Sequence, residues 1–251
     1  MILQLLTPVV LVCNEEFWLP YVLEASRGHF PRYVIYDVGS TDATRRIIEW
    51  FRDTSPGVQF VVKLLPMVEP SVQGCFRNSM IAEAESPYYL ILDGDEIYTP
   101  EDYTALNQGA ERMHAIHRIP SVLYGMVRRQ EWTADLTQAY GVNRCTPHHR
   151  IYSRDAYFRG THPGERPVPD IGRNNEQWFP TIVCHHFHHA ERSSKDAEVP
   201  GRSERKDNAT YHRGEALPAS LFDQLPILRK PIEGFAVAPV LEEMQRATCA
   251  I

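Results

Sequence analysis

Residues 88–96, which read YYLILDGDE, are the stretch that decides the fold of this chain. The first five form an apolar run of the length of a buried strand, and three acids follow within the next four positions. Carboxylates crowded in this way repel one another unless a cation lies among them. The stretch therefore predicts a core strand that ends at a polar edge of a sheet, where a hard divalent cation can bind. The alternative is a solvated acidic turn before a helix.

Upstream of this strand, apolar runs of strand length alternate with segments of helical periodicity. Strands are predicted at 7–13, 33–38 and 58–65, and helices at 15–27, 42–51 and 71–85. Repeated strand, helix, strand units build a mostly parallel sheet that helices cover, and its ligands bind beyond the carboxyl ends of the strands. The predicted fold class is therefore α/β, with the candidate site at that edge.

The pattern becomes less regular after residue 98. A helix is predicted from Thr99 to about His117, because a capping hydroxyl is followed by proline and two acids. Beyond it we expect short strands at 119–127, 149–153 and 180–187, and a charged helix at 193–213. The predicted organisation is a regular half at 1–98, an α+β half of the same domain at 99–190 and a helical C-terminal extension at 191–251.

The composition excludes several classes of protein. With 251 residues, 43% of them hydrophobic, the chain can bury a sizeable core, which argues against disorder. The formal net charge of −6 disfavours nucleic acid as a partner. No apolar stretch reaches the roughly 18 residues that a spanning helix needs, so we expect membrane contact to be peripheral at most. The five cysteines form no Cys-x-x-Cys pair, which favours a reducing cytoplasm over a disulfide framework or a thiolate zinc site.

A second polar turn follows the predicted strand at 33–38. Asp37 lies at the end of this strand, and Gly39 permits a sharp turn. Ser40 or Thr41 can cap the helix that comes next. A carboxylate in such a crevice can accept a hydrogen bond from a ribose hydroxyl or a base N–H. The alternative is an ordinary turn with a helix cap.

Four motifs resemble, in order and spacing, those of the family 2 glycosyltransferases of the GT-A fold. They lie at residues 9–16, 35–42, 77–78 and 90–96. The resemblance implies that the Asp-x-Asp segment binds Mn²⁺ or Mg²⁺, and that this metal bridges the diphosphate of a sugar nucleotide. It also implies that the ends of the first two strands hold the nucleoside, with UDP as the favoured nucleotide.

Carried over by position, the resemblance implies a donor-binding set: Leu11, Cys13, Glu15, Asp37, Arg77, Asp93 and Gly94. Base and ribose would contact Cys13, Glu15 and Asp37. Arg77 would approach the diphosphate. Leu11 and Cys13 stand where the family usually has proline and tyrosine.

The resemblance also implies a metal-binding set. Asp95 would be the main ligand, joined by Asp93 and by His185 or His186 from the run HHFHH at 185–189. Alternate residues of a strand share a face, so at most two or three of these histidines can meet one ion. The alternative is a histidine-based zinc hydrolase built on the same run.

Shorter motifs in the second half, at 149–154, 161–165 and 183–187, resemble small soluble bacterial enzymes of the family that are related to lipopolysaccharide-core sugar transferases. Family 2 enzymes are generally inverting, which implies one carboxylate base on the acceptor side. We expect Glu165 in this role, because its segment resembles the acceptor-facing part of the family. Asp170 is the second candidate.

The predicted function is the transfer of a hexosyl group from a nucleotide-diphosphate sugar to an acceptor hydroxyl, with inversion. Residues 1–98 would bind the donor, and residues 99–190 would bind the acceptor and carry the catalytic base. The expected acceptor is a glycan, a lipid-linked molecule or a small molecule. We expect a cytoplasmic enzyme, with any membrane contact at the inner face. A non-catalytic binding module on the same fold is a further alternative.

Overall fold

The computed structural model describes residues 5–67, 70–116, 124–136, 138–140, 147–160, 166–168, 176–199, 202, 217–218 and 221–249. Within these residues the chain is an α/β protein built on one ten-stranded sheet and a separate two-stranded sheet. Among the helices described, none is both long and apolar enough to cross a membrane.

The regular half consists of four parallel strands and the three helices that connect them. The strands are β1 (Leu6–Val12), β2 (Arg32–Val38), β3 (Gln59–Leu65) and β4 (Tyr88–Ile91), and the helices are α1 (Leu19–Ser26), α2 (Thr44–Asp53) and α3 (Gln73–Glu83). The strands pair in the order β4-β1-β2-β3, which confirms the predicted parallel sheet. The register sets Val12 beside Asp37, so the carboxyl ends of β1 and β2 lie side by side.

The second half extends the same sheet with mostly antiparallel pairs. Its strands are β5 (Glu96–Ile97), β6 (Tyr124–Trp132), β7 (Gln138–Tyr140), β8 (Pro147–Ser153), β9 (Tyr157–Arg159), β10 (Arg166–Val168), β11 (Glu176–His186) and β12 (Leu217–Pro218). Its helices are α4 (Pro100–Ile116), α5 (Leu221–Gln224) and α6 (Pro239–Cys249). β8 joins β4 to β6, while β11 runs parallel to β6 and also pairs with β5. β9 and β10 form the separate sheet.

Several segments differ from the predicted elements. Residues 119–123 of the strand predicted at 119–127 lie outside the described residues, and the described strand β6 continues to Trp132. Residues 128–131 are charged or polar, so no apolar run marks them as strand. Of the α-helix predicted at 193–213, residues 193–199 form turns and a short 3₁₀ helix (Asp196–Glu198) instead, and the remainder, except residue 202, lies outside the described residues. Here Ser193 Oγ accepts a hydrogen bond from the Lys195 amide, and Asp196 accepts one from the Arg192 amide. Such local side-chain bonds compete with helical ones.

The core has two parts, one on each face of the sheet, and the residues of β1 alternate between them. Val10 belongs to the larger part, which includes residues of α1, α2 and α4. Val9 belongs to the smaller part, which includes residues of α3. Trp18 stacks on Phe187 in the larger part, with ring centroids 4.1 Å apart. Helices therefore cover both faces of the parallel half, as the α/β prediction requires.

Two turns hold the carboxyl ends of β1 and β2 together. Asn14 follows β1 with a φ of 51°, and its side-chain oxygen accepts a hydrogen bond from the Thr41 amide at 2.8 Å. The Asn14 amide donates to Ser40 Oγ at 2.8 Å. Gly39 has a φ of 95°, and a Cβ atom there would lie 2.3 Å from the backbone of Met67. These contacts fix the polar edge from which the candidate site is built.

Candidate functional site

A cleft of about 400 Å³ opens at the carboxyl ends of β1, β2 and β4. It brings together eight of the residues predicted from the sequence: Leu11, Cys13, Glu15, Arg77, Asp93, Gly94, Asp95 and His186. Its other lining residues include six arginines and histidines that were not predicted as site residues: Arg129, His148, Arg150, His188, Arg192 and Arg202. The cleft is therefore the candidate functional site.

Gly94 lets the acidic turn after β4 pack tightly against β1. A Cβ atom at Gly94 would lie 2.9 Å from Val12 Cγ1 and 2.7 Å from Glu15 Cγ, which is closer than real contacts allow. On its other side, the carbonyl of Asp95 accepts a hydrogen bond from the Phe187 amide at 2.9 Å. The acidic turn, the end of β1 and the histidine run thus meet on one side of the cleft.

Asp95, His186 and His188 form a group that fits a metal ion. One ligand atom from each lies within 4.8 Å of the others. Asp95 and His186 are buried, with Asp95 Oδ2 and His186 Nε2 3.5 Å apart. A mixed set of oxygen and nitrogen ligands suits Mn²⁺ or another divalent transition metal better than Mg²⁺, which prefers oxygen. We call these three residues the metal-binding group.

Glu131 of β6 lies on the opposite side of the His186 ring from Asp95. Its Oε1 is 3.6 Å from His186 Nδ1, and its Oε2 is 3.5 Å from His189 Nε2. Burial alone would lower the pKa of His186, but Asp95 and Glu131 outweigh burial and raise this pKa to about 9. A carboxylate on the second ring nitrogen orients a ligating histidine. Glu131 lies in no sequence motif, so its place beside His186 was not predicted.

His185 lies outside the metal-binding group. Its Nδ1 accepts a hydrogen bond from Trp132 Nε1 at 3.3 Å, and its ring stacks on the same indole. Burial lowers the pKa of His185 to about 3. Because successive residues of a strand point to opposite faces, only one of the two predicted histidines reaches Asp95. The structure brings His186 to Asp95, leaves His185 in the core and adds His188.

Asp93 is turned toward two arginines and does not belong to the metal-binding group. Arg77 Nη2 donates to Asp93 Oδ1 at 3.2 Å, and Arg150 Nη1 donates to Asp93 Oδ2 at 3.0 Å. Arg150 also pairs with the buried Glu96. Burial alone would raise the pKa of Asp93, but Arg150 and Arg77 outweigh burial and lower it to about 2. Arg77 Nη1 has no hydrogen-bond partner among the described residues and is available to an anion.

Asp37 is fully buried at the end of β2. Its Oδ1 accepts hydrogen bonds from the amides of Gly39 at 3.2 Å and Ser40 at 3.1 Å, and from Arg45 Nε at 2.8 Å. These hydrogen bonds to Oδ1 stabilise the turn that follows β2. Its Oδ2 is also buried but has no hydrogen-bond partner within the described part of the chain. A buried acceptor without a donor is destabilising, so Oδ2 is a candidate acceptor for an N–H or O–H group of a ligand.

Glu15 and Cys13 lie at the β1 end of the cleft. Glu15 Oε1 is 3.1 Å from Arg192 Nη1 and 2.6 Å from Arg202 Nη2. Burial raises the pKa of Glu15 to about 7, and the two arginines oppose this rise. Burial also raises the pKa of the Cys13 thiol to about 11. The thiol is therefore a neutral contact for a ligand near pH 7.

Arg192 and Arg202 are site residues that no sequence motif predicted. Both are buried, and both reach the cleft from the chain that follows β11. Arg192 Nη1 donates to Asp95 Oδ2 at 2.5 Å, and Arg202 donates to the carbonyls of Cys13 and Asn14. These contacts join residues 97 or more positions apart, and no local pattern records them.

Glu165 and Asp170, the predicted base and its alternative, lie outside the described residues. β10 lies between them in the sequence. Their roles therefore stay predictions.

The family profile described as Glycosyl transferase family 2 matches residues 8–188. Among curated proteins, none matches this sequence. Among solved structures, S. aureus TarS 1-349 in complex with UDP-GlcNAc is similar, with a TM-score of 0.52 and 15% identity over 90% of this chain and 64% of that chain. A second structure of S. aureus TarS has a TM-score of 0.50 and 15% identity over 73% of this chain and 36% of that chain. This chain thus spans less than two thirds of the length of either structure.

The structural similarity concerns the arrangement of the sheet and helices, which is that of the GT-A fold. The family profile extends from β1 to His188, so it contains all three residues of the metal-binding group. The chain belongs to glycosyl transferase family 2.

Proposed function

We propose that the chain transfers a hexosyl group from a nucleotide-diphosphate sugar to an acceptor hydroxyl, with a divalent metal and with inversion. One observation carries the proposal. A metal-binding group shares a cleft with arginines at the strand ends of a family 2 chain. A diphosphate leaving group calls for such an arrangement, because its charge must be balanced both when it is bound and when it departs.

The nucleoside is assigned to the ends of β1 and β2. Asp37 Oδ2 would accept a hydrogen bond from a base N–H or a ribose hydroxyl, since it is buried and has no donor within the described residues. Leu11, Cys13 and Glu15 line the cleft and would contact base or ribose, whereas Asp37 is buried behind the lining residues. UDP is the nucleotide proposed first, because the similar TarS 1-349 structure contains UDP-GlcNAc.

The diphosphate is assigned to the region between Arg77 and the acidic turn. Asp93 holds the Arg77 guanidinium through Nη2, and Nη1 has no hydrogen-bond partner within the described residues and would bind the diphosphate. Gly94 lines this part of the cleft and carries no side chain of its own, so its backbone is assigned to the diphosphate region. Asp95, His186 and His188 would hold a divalent ion, which would supply further positive charge to the departing diphosphate.

On the acceptor side we assign Glu165 as the base, with Asp170 as the second candidate. The resemblance of residues 161–165 to the acceptor-facing part of the family supports this assignment. The acceptor would present a free hydroxyl on a glycan, a lipid-linked molecule or a small molecule. Residues 1–98 would serve the donor, residues 99–190 the acceptor, and residues 191–251 would extend the domain.

We also propose that the protein works in the cytoplasm, with any membrane contact peripheral and at the inner face. Cys13, Cys75 and Cys184 are free thiols among the described residues, which supports a reducing compartment. The formal net charge of −6 supports a small-molecule donor over nucleic acid as a partner.

A panel of UDP-, GDP- and dTDP-sugars tests the proposal, with binding measured by calorimetry and slow donor hydrolysis measured in parallel. We expect one nucleotide class to bind only when Mn²⁺ is present. Asp95→Asn keeps the size of the side chain and removes its charge, so this variant should lose metal-dependent binding. Asp53→Asn is the matched control, because Asp53 is exposed and pairs with Arg52 at the surface.

Two results would contradict the proposal. Tight zinc binding without affinity for any nucleotide would favour the histidine-based hydrolase. Full function of Asp95→Asn would favour a non-catalytic binding module on this fold.

A further inference from the structure

Residues 191–194 form a strap at the β1 end of the cleft. The carbonyls of Glu191 and Arg192 accept hydrogen bonds from Trp18 Nε1 at 2.8 Å and from the Phe17 amide at 3.0 Å. The Ser194 amide donates to Glu16 Oε1 at 2.8 Å. These bonds hold the backbone of the strap and do not involve the guanidinium of Arg192.

Arg192 extends from the strap to the metal-binding group. Its Nη1 donates to Asp95 Oδ2 at 2.5 Å and is 3.1 Å from Glu15 Oε1. The same Asp95 oxygen is 3.5 Å from His186 Nε2. The guanidinium therefore lies against an oxygen of the residue that would be the main metal ligand.

A metal ion and the guanidinium would compete for the Asp95 carboxylate. Like charges a few ångströms apart in a cleft of low dielectric repel each other, so each cation weakens the other's hold on the shared oxygen. Arg192 also lines the cleft, and its Nε has no hydrogen-bond partner among the described residues. An anion in the cleft would thus offer the guanidinium a second partner while the strap keeps its place.

We infer that Arg192 is a donor-binding residue with two alternative partners: Asp95 in the protein without donor, and the diphosphate when metal and nucleotide are bound. The inference rests on the proposed function. Arg192 then opposes the binding of metal alone and favours the binding of nucleotide with metal. The two ligands are coupled as a result, and each strengthens the binding of the other.

Arg202 provides the matched control within the same part of the cleft. Its Nη2 binds Glu15 Oε1 at 2.6 Å and the Cys13 carbonyl at 2.8 Å. No hydrogen bond or ion pair joins it to Asp95 in the described part of the structure. Substitution of either arginine removes a partner of Glu15, but only substitution of Arg192 removes one from Asp95.

The experiment is calorimetry on the full chain, first with Mn²⁺ alone and then with UDP at saturating Mn²⁺. Arg192→Gln should bind Mn²⁺ alone about tenfold more tightly than the wild type, which corresponds to about 1.4 kcal/mol. It should bind UDP with Mn²⁺ about tenfold or more weakly, because a charged hydrogen bond to the diphosphate is lost. Arg202→Gln should not bind Mn²⁺ more tightly. If Arg192 had a purely structural role, Arg192→Gln would instead bind both Mn²⁺ and UDP more weakly.

Unchanged or weaker Mn²⁺ binding by Arg192→Gln would overturn the inference. The proposed function would still stand in that case if the wild-type protein binds both Mn²⁺ and UDP. Tighter Mn²⁺ binding with unchanged UDP affinity would overturn the diphosphate contact. A wild type that binds neither Mn²⁺ nor any nucleotide would overturn the proposed function and the inference with it. Should Arg192→Gln not fold, the Glu15→Gln/Arg192→Gln variant removes both charges, and the same changes are expected relative to Glu15→Gln.

Discussion

At the scale of single residues, the two carboxylate oxygens of Asp37 have different roles, one structural and one a candidate for ligand binding. Its Oδ1 is saturated by the turn, whereas Oδ2 has no partner within the described residues. Asp37→Asn can keep the first set of bonds, but it replaces the second acceptor with an amide donor. We expect UDP affinity with Mn²⁺ to fall by about 1.5 to 3 kcal/mol, the range for hydrogen bonds to charged groups.

Calorimetry measures this loss, and Arg45→Gln is its control. Arg45 binds the Oδ1 side of Asp37 and is part of no predicted ligand contact, so its substitution should change UDP affinity much less. Equal UDP affinity in Asp37→Asn and the wild type would exclude a nucleoside contact at Oδ2.

Glu131 acts on the metal-binding group through His186. Glu131→Gln keeps the shape of the side chain but weakens its hold on the ring, and we expect Mn²⁺ affinity to fall about tenfold. Glu176→Gln is the matched control, because Glu176 binds His149 at 3.1 Å, away from the group. Isothermal titration with Mn²⁺ compares the two variants. An equal loss in both would mean that the effect comes from general destabilisation.

Cys13 carries a prediction about pH. Burial raises the pKa of its thiol to about 11, so the reactive thiolate is scarce at neutral pH. The alkylation rate of Cys13 by iodoacetamide should rise roughly tenfold per pH unit from pH 7 to beyond pH 9, since each unit below the pKa lowers the thiolate fraction about tenfold. Mass spectrometry of the Cys13 peptide gives this rate. A plateau near pH 8 would contradict the raised pKa.

At the scale of elements, the turn from β2 to α2 depends on Gly39. Its φ of 95° is unfavourable for a residue with a Cβ atom, and that atom would lie 2.3 Å from the Met67 backbone. Gly39→Ala should lower the free energy of unfolding by about 2 to 4 kcal/mol, because backbone strain and steric overlap add. Gly57→Ala should cost only about 1 to 2 kcal/mol, since Gly57 has a φ of 80° but open space around it. Urea unfolding tests the difference, and equal losses would show that the Met67 contact is unimportant.

At the scale of the whole molecule, the cleft draws on both halves of the described fold. Asp95 follows β4, His186 ends β11, and Arg150 lies on β8. A ligand in the cleft therefore ties these strands together and should stabilise the entire domain. At about a hundredfold excess over Kd, UDP with Mn²⁺ should add about 2.7 kcal/mol and raise Tm by about 5 to 10 °C.

Chelation is the control for this thermal shift. EDTA should remove most of the rise, because metal and diphosphate are expected to bind together. Differential scanning calorimetry measures Tm in each condition. The same rise with and without EDTA would show that the arginines alone bind the diphosphate, against the proposed metal dependence.

The sequence alone determined the parallel half of the fold and the polar character of its edge. A strand buried on both faces is mostly apolar, so β1, β2 and β4 are visible as local runs. An acid and a glycine lie at the end of β2 and directly after β4, and two acids follow β1 within four positions. Local spacing was therefore sufficient to predict that Asp93, Gly94 and Asp95 lie at the carboxyl edge of the sheet.

Only the tertiary structure decided which charged groups meet at that edge. Arg192 contacts Asp95, which lies 97 positions away in the sequence. The residue type alone does not show whether an arginine will be buried or exposed. Likewise, His185 and His186 are neighbours in sequence, yet one contacts Trp132 and the other Asp95. The physical reason is that periodicity records burial along one element, whereas ion pairs and metal-binding groups depend on how distant elements pack against one another.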